Sequence, residues 1–200
     1  MAFLVKKVAE ARLPTRWGFF RIHGFEGKGD GEVEESVVLQ MGELAGPPPL
    51  VRIHSQCLTG DVFHSLRCDC RAQLEMALEQ IVVEGRGLLI YENQEGRGIG
   101  LLNKLRAYEL QDAGADTVEA NEQLGFAADE RAYAMPGEIL RQLGITKVRL
   151  MSNNPDKIAA LEKCGVQVVE RVPCQPPPMD STADYLLTKR NKMGHLLDGL

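Results

Sequence analysis

A chain of 200 residues, 44% hydrophobic and only 6% aromatic, can form one good core or two small ones, built mainly from Leu, Ile, Val and Ala. Its net charge of -5 argues against a general nucleic-acid binder, which carries a basic excess, but leaves room for an anionic small ligand held by a local cluster. No stretch approaches the roughly 18 uninterrupted apolar residues of a membrane span, and Lys6, Lys7, Glu10 and Arg12 interrupt any signal-peptide core, so neither a membrane nor export is expected.

In chain order, residues 18–23 have a strand-like mix, the Gly-rich stretch from Gly27 to Gly31 predicts a turn, and residues 36–39 predict a second strand. Pro47, Pro48 and Pro49 stiffen the entry to a third strand over residues 50–54. After Cys70 the period changes: Leu74, Ala77, Leu78, Ile81 and Val82 fall on one helical face, ended by Gly85. Residues 87–91 are a short, nearly continuous apolar strand of the kind found in a sheet covered on both faces. A Gly-rich turn then leads into a helix carrying Leu101, Leu102, Leu105 and Leu110, closing near Gly114.

The pattern repeats in outline. Ile139, Leu140 and Leu143 predict a short helix, and residues 147–151 a strand. Asn154 and Pro155 form an N-cap and first-turn pair for a helix bearing Ile158, Leu161 and Cys164. Residues 166–169 predict another strand, the prolines from Pro173 to Pro178 break structure, and the tail from Asp184 to Leu197 predicts a closing helix. The expected fold is α/β: a mixed sheet with flanking helices after a β-rich N-terminal portion, forming a single domain over residues 1–200.

Five cysteines in a chain without an export signal point to a cytoplasmic, reducing setting, where they serve as thiols or metal ligands. Cys57, Cys68 and Cys70 stand as C-x10-C-x-C. Three protein ligands plus water make a catalytic zinc site, whereas a fourth ligand from His54 or His64 would close it into a structural one. Cys164 and Cys174, isolated from the trio, read as small apolar core residues. A zinc nucleoside deaminase would show H-x-E followed by P-C-x-x-C. Here His54-Ser55-Gln56 places an amide where the acid should be, and the cysteines are spaced C-x-C, so that reading loses.

The segment from Gln94 to Gly100 lies between a predicted strand and a predicted helix, where backbone N–H groups can approach an anion. Its G-x-G-x-G spacing matches neither the dinucleotide fingerprint nor the P-loop, and alone it equally suits an ordinary turn. Arg97 and Lys104 add positive charge nearby. Asp129-Glu130-Arg131 and the run from Ser152 to Lys157 are polar insertions that, taken one at a time, read as solvated surface.

Several longer motifs follow one another in the chain: Arg52-Ile53-His54-Ser55-Gln56-Cys57-Leu58-Thr59-Gly60-Asp61, Ser65-Leu66-Arg67-Cys68-Asp69-Cys70, the segment from Gln94 to Leu101, Asn121-Glu122-Gln123-Leu124-Gly125-Phe126, Ala128-Asp129-Glu130-Arg131 and Lys192-Met193-Gly194-His195. In that order they resemble GTP cyclohydrolase II. The resemblance runs from about Val8 to His195 and is to the single-function form, with no room for a fused dihydroxybutanone-phosphate synthase domain. It implies conversion of GTP and water to formate, pyrophosphate and a diaminopyrimidinone ribosyl phosphate, the first step of riboflavin synthesis.

Carried onto this chain, the resemblance gives zinc to Cys57, Cys68 and Cys70. It gives GTP contacts to Arg52, Ile53, His54, Ser55, Gln56, Gln73, Glu95, Gly96, Arg97, Thr117, Ser152 and Lys157, and catalytic positions to Tyr108, Asp129 and Arg131. It also implies magnesium with the triphosphate and a homodimer. Gln56 and Ser152 depart from the Glu and Thr frequent in relatives; Ser152 keeps a hydroxyl, whereas Gln56 removes a charge. Family descriptions make Arg131 a nucleophile with Asp129 as its base. A guanidinium is always protonated and offers no free lone pair, so chemistry makes Arg131 a bidentate phosphate clamp and Asp129 its orienter. Two other classes fit fewer of these features: a nucleotide-binding regulatory protein without turnover, and a zinc-stabilised interaction domain without substrate.

Overall fold

The computed structural model describes residues 4–28, 33–177, 182–197 and 199. Most of the turn expected from Gly27 to Gly31 therefore lies outside the described residues, as does Pro178 at the end of the expected proline break. The strands form one sheet in the order β1-β2-β3-β5-β4-β6-β7. β1 (Leu4–Thr15), β2 (Gly18–Lys28) and β3 (Val33–Met41) make an antiparallel meander, and β3 continues antiparallel onto β5 (Gly87–Glu92). β4 (Leu50–Ser55) lies parallel between β5 and β6 (Lys147–Met151), and β7 (Gln167–Val172) runs parallel to β6. The sheet is mixed, with the expected β-rich start.

The apolar runs of β4 and β5 explain their central place. Side chains alternate across a strand, so Val51, Ile53, Leu88 and Ile90 enter one core while Leu50 and Leu89 enter the other. On the first face, Ile139 and Leu140 of α4 (Ala134–Gln142) and Leu161 of α5 (Pro155–Lys163) complete the core. Ala77, Leu78 and Ile81 of α1 (Cys70–Glu84) complete it on the second. The remaining helices are α2 (Leu101–Asp112), α3 (Thr117–Gln123) and α6 (Ala183–Met193). Gly85 ends α1 with φ 65, and the Asn154 side chain accepts from Asp156 N to start α5, as its sequence predicts. No helix among the described residues is long and apolar enough to cross a membrane.

Two elements have no counterpart in the sequence reading. β1 buries only Val5 fully; its other side chains show no alternation because it is an edge strand ordered by pairing with β2. α3 is seven residues long, too short for an apolar period, yet Asp116 and Glu119 form a reciprocal capping box at its start. The fold positions the site simply. β4, β5 and β6 are parallel, so their carboxyl ends meet on one edge, where an open α/β sheet binds ligands.

Candidate active site

The loop after β4 makes one wide turn, Leu58–Val62, in which Asp61 N donates to Cys57 O at 2.6 Å. Gly60 lies inside this turn. A Cβ there would fall 2.9 Å from Cys68 Sγ and 3.1 Å from Cys57 Sγ, so the sulfur cradle closes only because the position has no side chain. The sulfurs of Cys57, Cys68 and Cys70 all lie within 4.8 Å of one another, with Cys57 and Cys68 3.7 Å apart. Zn–S bonds of about 2.3 Å in tetrahedral geometry imply sulfurs about 3.8 Å apart, so the donor set fits zinc in both chemistry and spacing.

Neither histidine joins this cluster. His64 is exposed, and His54 Nε2 lies 3.2 Å from both carboxylate oxygens of Asp61. Asp61 also accepts from Cys57 N at 3.1 Å and from Tyr91 OH at 2.8 Å, so it braces the cradle from behind. Hydrogen bonds from the other two thiols hold Cys57 far below the ordinary thiol range, with Lys104 Nζ 3.1 Å from its sulfur. Cys68, its proton held by Cys57, is pushed up to about 11, and Cys70 well above its usual value. One thiolate bridged by two thiols is the arrangement a dication converts to three thiolates by releasing protons.

After β5 the short turn Glu95–Gly98 ties the loops together. Glu95 accepts from Leu58 N at 2.6 Å, from Gly96 N at 2.9 Å and from Lys104 Nζ at 2.7 Å. Arg97 sits at φ 62, a left-handed conformation uncommon outside glycine. Glu130 N donates to Arg97 O at 3.0 Å, and a Cβ on Gly98 would meet the Glu130 carbonyl carbon at 2.9 Å. This packing leaves both terminal nitrogens of Arg97 buried without a hydrogen-bond partner among the described residues. Buried guanidinium donors are normally satisfied, and Arg97 lines the cavity described below. From α2, Tyr108 OH lies 3.2 Å from Thr59 Oγ1, and the Arg67 guanidinium covers its ring at 4.8 Å. Burial pushes the Tyr108 phenol up, so it stays a donor at neutral pH.

A second group of cations gathers where β4 and β6 end. Arg52 donates to Met151 O at 3.1 Å and to Gln73 Oε1 at 2.6 Å. Lys157 Nζ donates to Ile53 O at 2.9 Å. Asp129 takes both Arg131 Nε, at 2.8 Å, and Arg131 Nη2 in a bidentate pair. Burial depresses Lys157 far below the usual lysine range, with the Arg52 and Arg131 charges adding to it. Burial opposes the Arg131 charge too, but the Asp129 hydrogen bonds outweigh it and keep the guanidinium protonated. Beneath them, burial raises the Glu92 carboxyl to about 8.

Both groups open onto one cavity. Arg52, Arg67, Arg97, Lys104, Arg131, Lys157 and Lys189 line it, against Glu95 as the acidic lining residue, in a chain whose net charge is -5. Every sequence-predicted site residue lines this cavity except two: Ile53, whose side chain is core and whose carbonyl holds Lys157, and Asp129, which stands behind Arg131. Ser152, Asn153, Asn154 and Lys157 are buried, which corrects the solvated-surface reading of that run. The sequence reading missed the roles of Asp61 and Glu92 and the arrival of Tyr185, Lys189 and His195 from the chain's end. No spacing announces these residues; the Lys192-Met193-Gly194-His195 motif was the one available signal.

Comparison with known proteins agrees with this geometry. The family model described as GTP cyclohydrolase II matches residues 6–173. The GTP cyclohydrolase-2 of Teredinibacter turnerae is 55% identical over 197 residues, 98% of each chain. That of Azotobacter vinelandii is 57% identical over 194 residues, 96% of this chain and 92% of the relative. The riboflavin biosynthesis protein RibBA of Aquifex aeolicus is 56% identical over 195 residues, 96% of this chain and 48% of the longer relative. Across nearly its whole length, then, and with the sulfur cradle and cation cluster on one cavity, the chain belongs to the GTP cyclohydrolase II family.

Proposed function

We propose that this chain hydrolyses GTP to formate, pyrophosphate and a diaminopyrimidinone ribosyl phosphate at the entry to riboflavin synthesis. Zinc would be held by Cys57, Cys68 and Cys70, with the guanine toward the sulfurs and the triphosphate toward Arg52, Arg97, Arg131 and Lys157. The observation that carries the reading is a single cavity with a three-sulfur cradle at one end and, at the other, clustered cations that include Arg97, whose terminal nitrogens have no hydrogen-bond partner among the described residues. Such a cation excess concentrates an anionic substrate even on an acidic protein.

Zinc, when bound, supplies Lewis acidity able to bring water's pKa from 15.7 to about 7. The chain's own groups do the rest. Tyr108, a protonated phenol held by Thr59, orients the reacting end by hydrogen bonding. Arg131, kept charged and planar by Asp129, clamps the phosphates as a bidentate donor rather than attacking them. Gln56 carries no charge for proton transfer; its backbone N–H is spent on Glu92 O at 2.9 Å, which fixes the loop entering the cradle. Magnesium belongs to the substrate in this reading, riding on the triphosphate, because Glu95 is already committed to Lys104 and two backbone amides.

The proposal also takes residues 1–200 as one domain, supported by the single sheet, and the protein as a cytoplasmic homodimer, supported by its five free thiols and by the family. The test is incubation of purified protein with GTP, zinc and magnesium, following formate and identifying the products by mass. Formate and pyrophosphate in equal amounts are expected. GTP binding without formate would replace this reading with that of a nucleotide-binding regulator.

A further inference from the structure

The C-terminal tail returns to the cavity along a defined path. α6 carries Tyr185 and Lys189 on its inner face. Lys189 Nζ lies 4.4 Å from the Tyr185 ring centre and 2.8 Å from Asp69 Oδ1, a carboxylate between two of the cradle cysteines. Gly194 then adopts φ 64 and ends the helix in a left-handed turn, a conformation that costs glycine little. The turn reverses the chain and is held from both sides: His195 N donates to Lys189 O at 3.1 Å, and Leu196 N donates to Asn153 O at 2.9 Å. Leu197 is buried beyond it. His195 is thereby fixed against the cavity wall.

Its Nε2 is buried and has no hydrogen-bond partner among the described residues. The charges that act most strongly on the ring are cations: Lys189 from α6, and Arg131, Arg97 and Lys157 from the other walls. Burial, reinforced by those charges, holds the imidazole down to about 3, so it is neutral at physiological pH. A neutral ring carries one N–H and one acceptor nitrogen. Placed among cations it adds a donor without adding repulsion, and a buried polar atom left unpaired is costly until something pairs with it.

We propose that His195 is a further substrate ligand, donating an Nε2–H hydrogen bond to a phosphate oxygen of bound GTP, so that the tail forms one wall of the phosphate end. This rests on the reading that GTP is the substrate. Calorimetric titration of GTP and of inorganic tripolyphosphate into the zinc-loaded protein tests it, with His195→Phe keeping a ring without a donor and His195→Gln keeping a neutral donor. His195→Phe should weaken both ligands about tenfold or more, the usual effect of losing a hydrogen bond to a charged group, and His195→Gln should recover most of it. The imidazole 15N signals of the unmodified protein need no variant: the Nε2 resonance of His195 should move when tripolyphosphate is added.

Failures of the two readings are distinguishable. If the unmodified protein bound neither ligand, the GTP reading would fail and take this one with it. If it bound both while His195→Phe matched it in affinity, or the Nε2 signal stayed still on saturation, His195 would be no ligand and the GTP reading would stand.

Discussion

The two ends of the cavity are built in opposite ways. The sulfur end comes from one continuous stretch, the loop after β4 and the first residue of α1, closed by a single glycine and braced by Asp61 and Glu95. The cation end draws Arg52, Arg97, Arg131 and Lys157 from separate segments, and the bond from Lys157 to Ile53 O joins residues 104 positions apart. Soft ligands that share one metal can be arranged locally, because the metal itself supplies the attraction between them. Cations that share one anion repel each other until it arrives. Three of the four are held by their own acceptors, Met151 O for Arg52, Ile53 O for Lys157 and Asp129 for Arg131, while the terminal nitrogens of Arg97 have none among the described residues. That requires the whole sheet.

The sulfur end should therefore be removable without disturbing the cation end. Cys68→Ser should lose zinc and cut formate release by more than about a hundredfold, since disturbing even the hydrogen-bonded surroundings of a metal ligand costs up to about that much. Tripolyphosphate affinity, measured by calorimetry, should stay within about threefold, because Arg52, Lys157 and Arg131 keep their acceptors and the link between the ends runs through Gln73, which joins Arg52 to Asp69. A parallel collapse of phosphate binding would show that the two ends are one coupled unit. A gentler version is Gly60→Ala, whose added carbon would lie 2.9 Å from Cys68 Sγ and must push the sulfur aside. Chelator competition should show zinc held about tenfold more weakly, again with phosphate binding intact. Unchanged zinc affinity would mean that the loop yields more easily than its hydrogen bonds suggest.

The same contrast decides what the sequence could reveal. The C-x10-C-x-C spacing exposes the sulfur end because the ligands are near one another in the chain, although not the role of Asp61, which acts only through the folded turn. β4 and β5 are legible as apolar runs, since both their faces are covered, whereas β1 is not, because its order comes from its neighbour rather than from its own pattern. Lys157 shows where sequence reading fails. A lysine in the first turn of a helix looks solvated, and nothing local reveals that β4 will cover it and offer it a carbonyl. Nor could His195 be placed, since its position depends on α6 crossing back over the cradle and on one left-handed glycine.

If assembling cations ahead of their ligand is what makes the second end demanding, the counter-charge beneath it should leave a mark on stability. Glu92 lies on the same face of the sheet as Ile90, and burial raises its carboxyl to about 8 from an ordinary value of about 4.3. Between those values the unfolded chain has released the proton and the folded one has kept it, so Glu92 lowers stability progressively as pH rises, and no further above about 8. Lys157, depressed in the folded state, works in the other direction: the unfolded chain holds the extra proton, so raising pH favours folding. Glu92→Gln removes the first effect and, by taking away the carboxylate charge that raises Lys157, can only deepen the second. Its melting temperature should match the parent's near pH 5 and exceed it by about 2–4 °C at pH 8.5, the shift expected for about 1 kcal/mol in a chain of this size. A difference that is flat across that range, or that favours the parent at high pH, would mean that Glu92 is ionised throughout and serves the cations as a standing counter-ion.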